Sequence, residues 1–113
     1  MVLADLEDYL NSIRQPTDTL EAGGQSYLVI KQVRIPCGTH AGELCDVALR
    51  RTSDNPWLPE AKIHVQPHLT PMGQNASQNS ELGADWQYLS RRFDPPPAPR
   101  TFWAHILTVL GEL

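Results

Sequence analysis

Apolar residues recur at helical spacing at both ends of the chain. At the start, Leu3, Leu6, Leu10 and Ile13 lie on one face of a helix that Pro16 ends. At the other end, a second stripe consists of Phe102, Ile106, Val109, Leu110 and Leu113. Because this spacing places apolar side chains on one side, the pattern predicts an amphipathic helix at the N-terminus and a packed helix at the C-terminus.

Three segments between these helices are typical of strands. Residues 23–35 are rich in strand-forming side chains, and Pro36 begins the turn that ends this strand. The next strand alternates, with inward Cys45, Val47 and Leu49 and outward Asp46, Ala48 and Arg50. In a third, short strand over 61–65, the inward residues are Ala61, Ile63 and Val65. The same alternation predicts that His64 points away from the core.

The chain from Pro67 onward is less regular. Pro67 and Pro71 mark the expected end of the sheet, and residues 70–81 form a polar, loop-like stretch rich in Ser and Asn. A short helix or turn is expected to follow, with its large side chains at Leu82, Trp86 and Leu89. Residues 53–56 are predicted to form a turn, and the proline-rich residues 94–99 a stiff connector. The order of elements predicts an α+β fold with an antiparallel meander.

The length and charge of the chain favour a single domain and disfavour some classes of protein. The chain has 113 residues, which fits one domain over 1–113, and its net charge is −4. This mildly acidic balance disfavours a general nucleic-acid binder, whose surface is basic. No apolar run approaches the ~20 residues that span a bilayer, so no membrane association is expected. The first 15 residues show no export signal, which predicts a cytoplasmic protein with reduced thiols.

Cysteine and histidine residues are the first candidates for chemistry. Cys37, His40 and Cys45 are close in sequence, and His64 and His68 follow. Zinc requires about four such ligands, and the spacing lacks a second close pair, so structural cysteines are favoured over a metal site. Cys37 beside His40 is also a candidate nucleophile pair. Nothing nearby supplies an oxyanion hole or an orienting third group, which favours an ordinary turn cysteine.

Two serines in the polar stretch are the alternative nucleophiles. Ser77 and Ser80 become reactive only if a base reaches them, and the nearest histidines in sequence are His64 and His68. The competing interpretation is a solvated loop in which Ser and Asn form turns.

Several segments carry a resemblance to a known family. They are Ile35-Pro36-Cys37-Gly38, Pro56-Trp57-Leu58-Pro59-Glu60, Pro67-His68-Leu69 and Leu82-Gly83-Ala84-Asp85-Trp86-Gln87-Tyr88-Leu89-Ser90-Arg91-Arg92. In this order they resemble prokaryotic family E of the ubiquitin-conjugating-enzyme (UBC-like) superfamily. The last segment is the most specific, because a Leu-Gly-x-x-Trp-Gln-x-x-Ser-Arg stretch recurs in that family.

The resemblance implies a fold and a pathway. The UBC-like fold is an antiparallel four-stranded meander flanked by N-terminal and C-terminal helices. Its bacterial members work beside a ThiF-like activating enzyme and a ubiquitin-like protein, and the resemblance implies no cofactor. A conjugating enzyme accepts the modifier's C-terminus on a cysteine as a thioester, and a His-Pro-Asn motif supplies a stabilising amide.

The chain departs from that pattern at the reactive positions. Pro67-His68-Leu69 stands where His-Pro-Asn is expected, and the following loop contains no cysteine. Two alternatives follow. In the first, Ser77 or Ser80 accepts the modifier as an oxyester, with His68 as the base. In the second, the chain is a non-catalytic adaptor that binds the activating enzyme or the ubiquitin-like protein. Whether the protein is an enzyme therefore stays open at this stage.

Overall fold

A computed structural model of the chain describes residues 3–51, 62–74, 77–90 and 98–113. Within them lie two helices and six strands. The elements are α1 (Leu3–Ser12), β1 (Thr17–Ala22), β2 (Gln25–Arg34), β3 (Leu44–Arg50), β4 (Lys62–Gln66), β5 (Ser77–Asn79), β6 (Gln87–Ser90) and α2 (Pro99–Gly111). No helix among these residues is long and apolar enough to cross a membrane.

The strands form one antiparallel sheet in the order β1-β2-β3-β4-β6-β5. The first four strands are a meander. After β4 the chain forms β5 at the edge of the sheet. It then returns as β6, which lies between β4 and β5. The expected α+β fold with an antiparallel sheet and helices at both termini is confirmed. The expected number of strands, three, is wrong.

Both helices pack on one face of the sheet and form the main core. The predicted helical stripes are confirmed, since every residue of both is buried except Ile13. Ile13 is 45% exposed because α1 ends at Ser12, and Arg14 then turns the chain with a φ of 62°. The predicted inward residues of β3 and β4 are buried in this core, namely Cys45, Val47, Leu49, Ile63 and Val65.

The opposite face of the sheet carries a second, smaller core. Tyr27, Val29, Ala48 and Trp86 are buried there. His64 lies on this face, so its predicted direction is confirmed, but it is only 2% exposed. Side chains predicted to face away from the main core are therefore buried too, because the central strands carry apolar side chains on both faces.

Three predictions about the middle of the chain are wrong. The first strand was expected only from residue 23, but β1 precedes it and pairs with β2 from Thr17 to Ala22. The polar stretch 70–81 is not wholly a loop, since it contains β5. The sheet does not end near Pro71 but continues through β5 and β6. Of the short helix or turn expected from Leu82 onward, the turn is confirmed, since two turns lead into β6. The turn at 53–56, Ala61 and most of the connector at 94–99 lie outside the described residues.

A partly buried carboxylate fixes a β-bulge where β2 meets β3. The bulge interrupts their pairing, and Gln32 within it has a φ of 54°. Asp46 accepts hydrogen bonds there from the Gln32 backbone N–H (3.0 Å) and the Gln66 side-chain amide (2.9 Å). The Lys31 ammonium donates a third at 3.1 Å. Burial of Asp46 opposes its ionisation, but these donors outweigh it and hold its pKa below the ordinary 3.8.

This lowered pKa predicts how Asp46 contributes to stability. The contribution is fully present above the unfolded-state pKa and is lost as the pH falls through the lower folded-state pKa. Asp46→Asn is therefore expected to be less stable at neutral pH by about 1.5–3 kcal/mol, the range for hydrogen bonds to a charged group. Urea unfolding of both proteins between about pH 7 and pH 2 measures the difference. It should shrink below about pH 4, and a difference independent of pH contradicts the assignment.

Candidate functional site

A serine and a histidine meet across β6, the strand that lies between β4 and β5. Ser80 Oγ is 2.8 Å from His64 Nδ1. The strand register explains the meeting, because Gln87 of β6 pairs with both Val65 of β4 and Asn79 of β5. Ser80 follows Asn79 directly, so it begins the turn beside the face of β4 that carries His64. Ser80 itself is half-buried.

The His64 ring is held on several sides. Tyr27 contacts it edge-on, with ring centroids 5.7 Å apart and planes at 89°. Tyr88, directly opposite on β6, has its ring centroid at 5.6 Å. On the other edge of the ring, Glu81 Oε1 lies 3.6 Å from His64 Nε2, and the Glu81 side chain is 50% exposed. The imidazole thus lies between a buried aromatic wall and a partly solvated carboxylate.

Two consecutive turns hold Ser80 in place. The Gly83 N–H donates to the Ser80 carbonyl, and the Trp86 N–H donates to the Gly83 carbonyl. Gly83 has a φ of 121°, which residues with a side chain rarely adopt. The Leu82 N–H donates to Ser80 Oγ at 3.0 Å, and Trp86 packs in the second core. The hydroxyl is therefore oriented by its own turn, and the turn is anchored by a buried aromatic side chain.

This arrangement supplies the two parts of an activated nucleophile. A serine hydroxyl is a weak nucleophile unless a base accepts its proton within about 2.6–3.2 Å. The separation of Ser80 Oγ and His64 Nδ1 lies inside that range. The pair is therefore suited to acyl transfer, in which the hydroxyl oxygen attacks a carbonyl carbon while the imidazole takes the proton.

The structure separates the other predicted site residues from this pair. Ser77 is 2% exposed, and its hydroxyl donates to the Pro71 carbonyl at 3.0 Å. His68 Nε2 contacts the carbonyl oxygens of Ala84 (2.9 Å) and Trp86 (3.0 Å). Because carbonyl oxygens only accept, that nitrogen is a donor there. The catalytic roles of Ser77, Ser80 and His68 stay predictions, and the geometry favours Ser80 with His64.

A buried amide fixes the segment between His64 and the turns. Gln87 is 0% exposed. Its Oε1 accepts from the backbone N–H groups of Leu69 (3.1 Å) and Thr70 (3.3 Å), and its Nε2 donates to the Thr70 carbonyl at 2.6 Å. All three bonds join β6 to the chain that leaves β4. This role of Gln87 follows from the pairing of β4 with β6, which no local sequence pattern indicates.

The candidate metal ligands do not come together. Among the described residues, no group of three His, Cys, Asp or Glu side chains is placed to hold a metal ion. His40 instead contacts the Glu43 carboxylate at 2.9 Å and the Leu69 carbonyl. Cys45 is buried in the main core. Burial, together with the neighbouring Asp46 charge, raises the pKa of the Cys45 thiol to about 12.

The two thiols are expected to differ in reactivity. The thiolate is the reactive form, and Cys45 is both buried and protonated at neutral pH, whereas Cys37 is exposed. In the native protein a thiol-specific disulfide reagent should titrate one of the two cysteines, and in denaturant both. Cys37→Ser should abolish the native reaction. Rapid reaction of Cys45 in the folded Cys37→Ser protein contradicts the assignment.

A cleft of about 550 Å³ opens next to the turns that follow Ser80. Ala84 and Asp85 form one wall, and Gln66, Pro67 and His68 contribute to the lining. Gln66 and His64 lie two residues apart on β4, so their side chains point to the same face of the sheet. Neither Ser80 nor His64 lines the cleft, and Gln66 is the lining residue of β4 that lies on the same face as His64.

Comparison with protein-family models, with curated proteins and with solved structures finds no match to this chain.

Proposed function

We propose that the chain is an atypical UBC-like component of a bacterial ubiquitin-like modification pathway, in which Ser80 accepts the modifier's C-terminus as an oxyester. The observation that carries this proposal is the 2.8 Å contact between Ser80 Oγ and His64 Nδ1. The partners are a ThiF-like activating enzyme and a ubiquitin-like protein. His64 takes the role of base that the sequence analysis gave to His68.

The proposed step is an acyl transfer between two enzymes. Ser80 Oγ attacks the carbonyl carbon of the modifier's C-terminus, which the activating enzyme holds as a thioester. A C–O bond forms, the C–S bond breaks, and the thiolate of the activating enzyme leaves. The hydroxyl proton passes to His64 Nδ1, and the imidazolium then returns it to the leaving thiolate.

The fold class and the order of the helices and strands are compatible with the proposal. Antiparallel strands with a helix at each end are what the resemblance to prokaryotic family E implies, although the sheet has six strands instead of four. The cleft lined by Gln66, His68 and Ala84 gives an extended peptide tail a place to lie on the face of the sheet that carries His64. The buried, protonated Cys45 is unsuited to carry a thioester.

Reconstitution tests the proposal. The protein is mixed with a ThiF-like activating enzyme, a ubiquitin-like protein that this enzyme loads, and ATP. We expect an adduct that resists reducing agent and breaks in mild hydroxide or hydroxylamine, because an oxyester has those properties and a thioester is cleaved by thiols. Cys37→Ser and Cys45→Ser should still form it. Loss of the adduct in either folded cysteine variant contradicts the serine mechanism.

The sequence Pro67-His68-Leu69, in place of His-Pro-Asn, favours a second function, that of an adaptor. Ser80 Oγ also accepts the Leu82 N–H, a turn-forming contact that a serine without catalytic activity makes equally well. The adaptor binds the activating enzyme or the ubiquitin-like protein and carries no acyl group. The adaptor function is supported if the activating enzyme carries the modifier on its own cysteine and binds this protein, but does not transfer the modifier to it.

A further inference from the structure

We infer that Glu81 is a positioning residue, which holds the proton of neutral His64 on Nε2 so that Nδ1 accepts the hydroxyl proton of Ser80. The inference concerns how the proposed Ser80–His64 pair is prepared, and it rests on the proposed function for its consequence in catalysis. It adds a third residue, from the turn itself, to the pair.

Two contacts of Ser80 determine whether His64 Nδ1 can carry the proton in the reactive arrangement. Leu82 N–H donates to Ser80 Oγ at 3.0 Å, which occupies one of the oxygen's lone pairs. His64 Nδ1 lies 2.8 Å from the same oxygen. If Nδ1 carried the proton, the hydroxyl would receive two hydrogen bonds and its own hydrogen would point elsewhere. The reactive arrangement therefore needs Nδ1 without a proton.

Glu81 supplies the reason for that arrangement. A neutral imidazole has one proton to place, and an ionised carboxylate near one nitrogen favours the proton on that nitrogen. Glu81 Oε1 is 3.6 Å from His64 Nε2. At this distance the carboxylate acts through its charge instead of a direct hydrogen bond.

The residues around the His64 ring fix its orientation, so the position of its proton is what Glu81 can still determine. His64 is 2% exposed, with Tyr27 edge-on at 89° and Tyr88 on another side. Because these rings hold the plane of the imidazole, Nδ1 stays directed at Ser80. What Glu81 adds is the choice of which nitrogen carries the proton.

The direct test is ¹⁵N NMR of the His64 ring nitrogens. In the native protein we expect Nδ1 to show the shift of an unprotonated nitrogen and Nε2 that of a protonated one. Glu81→Gln removes the charge and adds an N–H donor, so the population with the proton on Nδ1 should rise. Glu21→Gln makes the same change at an exposed position of β1 and should leave the tautomer unchanged. A native proton on Nδ1, or an unchanged tautomer in Glu81→Gln, overturns the inference.

A kinetic test uses p-nitrophenyl acetate, which transfers its acetyl group to a nucleophilic hydroxyl and releases p-nitrophenolate. The rate of Ser80 acetylation, followed by mass spectrometry, should fall about fivefold in Glu81→Gln, the size expected for losing a half-exposed charge partner. It should not fall in Glu21→Gln, which removes an exposed carboxylate of β1. An equal loss in both variants contradicts the positioning role. If the native protein is not acetylated, the proposed nucleophile fails, while the NMR result still decides the tautomer.

Discussion

Replacing His64 with Asn is expected to lower the rate of acyl transfer to Ser80 by roughly 10²–10⁴-fold, the range for loss of a general base. Asn is the informative substitution because its Oδ1 takes the place of Nδ1 and still accepts the Ser80 hydrogen bond, yet an amide does not take up a proton at neutral pH. The measurement is the initial rate of adduct formation with the loaded activating enzyme.

The matched variant is His68→Asn, which tests the base that the sequence alone suggests. His68 contacts two carbonyl oxygens and neither serine, so we expect a much smaller loss than for His64→Asn. Because His64 is buried, thermal unfolding of both variants must show that they are folded. Equal losses in two folded variants, or a larger loss for His68→Asn, contradict the assignment of His64.

Gln87→Leu is expected to reduce the free energy of unfolding by about 3 kcal/mol or more. Leu fills a similar volume but leaves two backbone N–H groups and one carbonyl without the amide partner, and each such buried group costs about 1–3 kcal/mol. Against a total stability of about 5–15 kcal/mol, this is a large fraction. Urea unfolding followed by circular dichroism measures it.

Gln78→Leu is the control for that experiment. Gln78 lies on β5, opposite Tyr88, and is exposed, so its substitution should change stability by less than about 0.5 kcal/mol. A Gln87→Leu effect no larger than the Gln78→Leu effect contradicts the role of the buried amide. The comparison also separates the loss of hydrogen bonds from the general effect of a new apolar side chain.

The elements with strong periodicity were predictable from the sequence. Both helices follow from stripes such as Leu3, Leu6 and Leu10, and the inward face of β3 follows from the alternation of Cys45, Val47 and Leu49. In each case one side of the element is apolar and the other is mostly polar. Burial of the apolar side then determines which face of the helix or strand packs against the core.

The missed strands lack that signal. β1 has the sequence Thr-Asp-Thr-Leu-Glu-Ala, a polar edge strand whose only large apolar residue is Leu20. β5 has three polar residues, and β6 begins at the buried amide of Gln87. These strands exist because a neighbouring strand supplies backbone partners, which is a tertiary effect that local composition does not contain.

The site was predictable only in part, because it too depends on strand pairing that local composition does not reveal. Ser80 is identifiable as a hydroxyl near histidines, but two histidines were equally available in sequence. The choice of His64 depends on the register in which Gln87 faces both Val65 and Asn79. Burial of His64 in a second core was equally hidden, since alternation predicts direction and not what covers the outward face.

The central claim is that Ser80 carries the modifier, and peptide mapping of the adduct tests it most directly. The adduct is formed with the activating enzyme, the ubiquitin-like protein and ATP, digested under mildly acidic conditions that preserve esters, and located by mass spectrometry. We expect the modifier's C-terminal residue on Ser80 in the native protein, and no adduct in Ser80→Ala, while Ser77→Ala retains it. Attachment to Ser77 or to a cysteine, or no adduct with an activating enzyme that loads its own cysteine, would contradict the account.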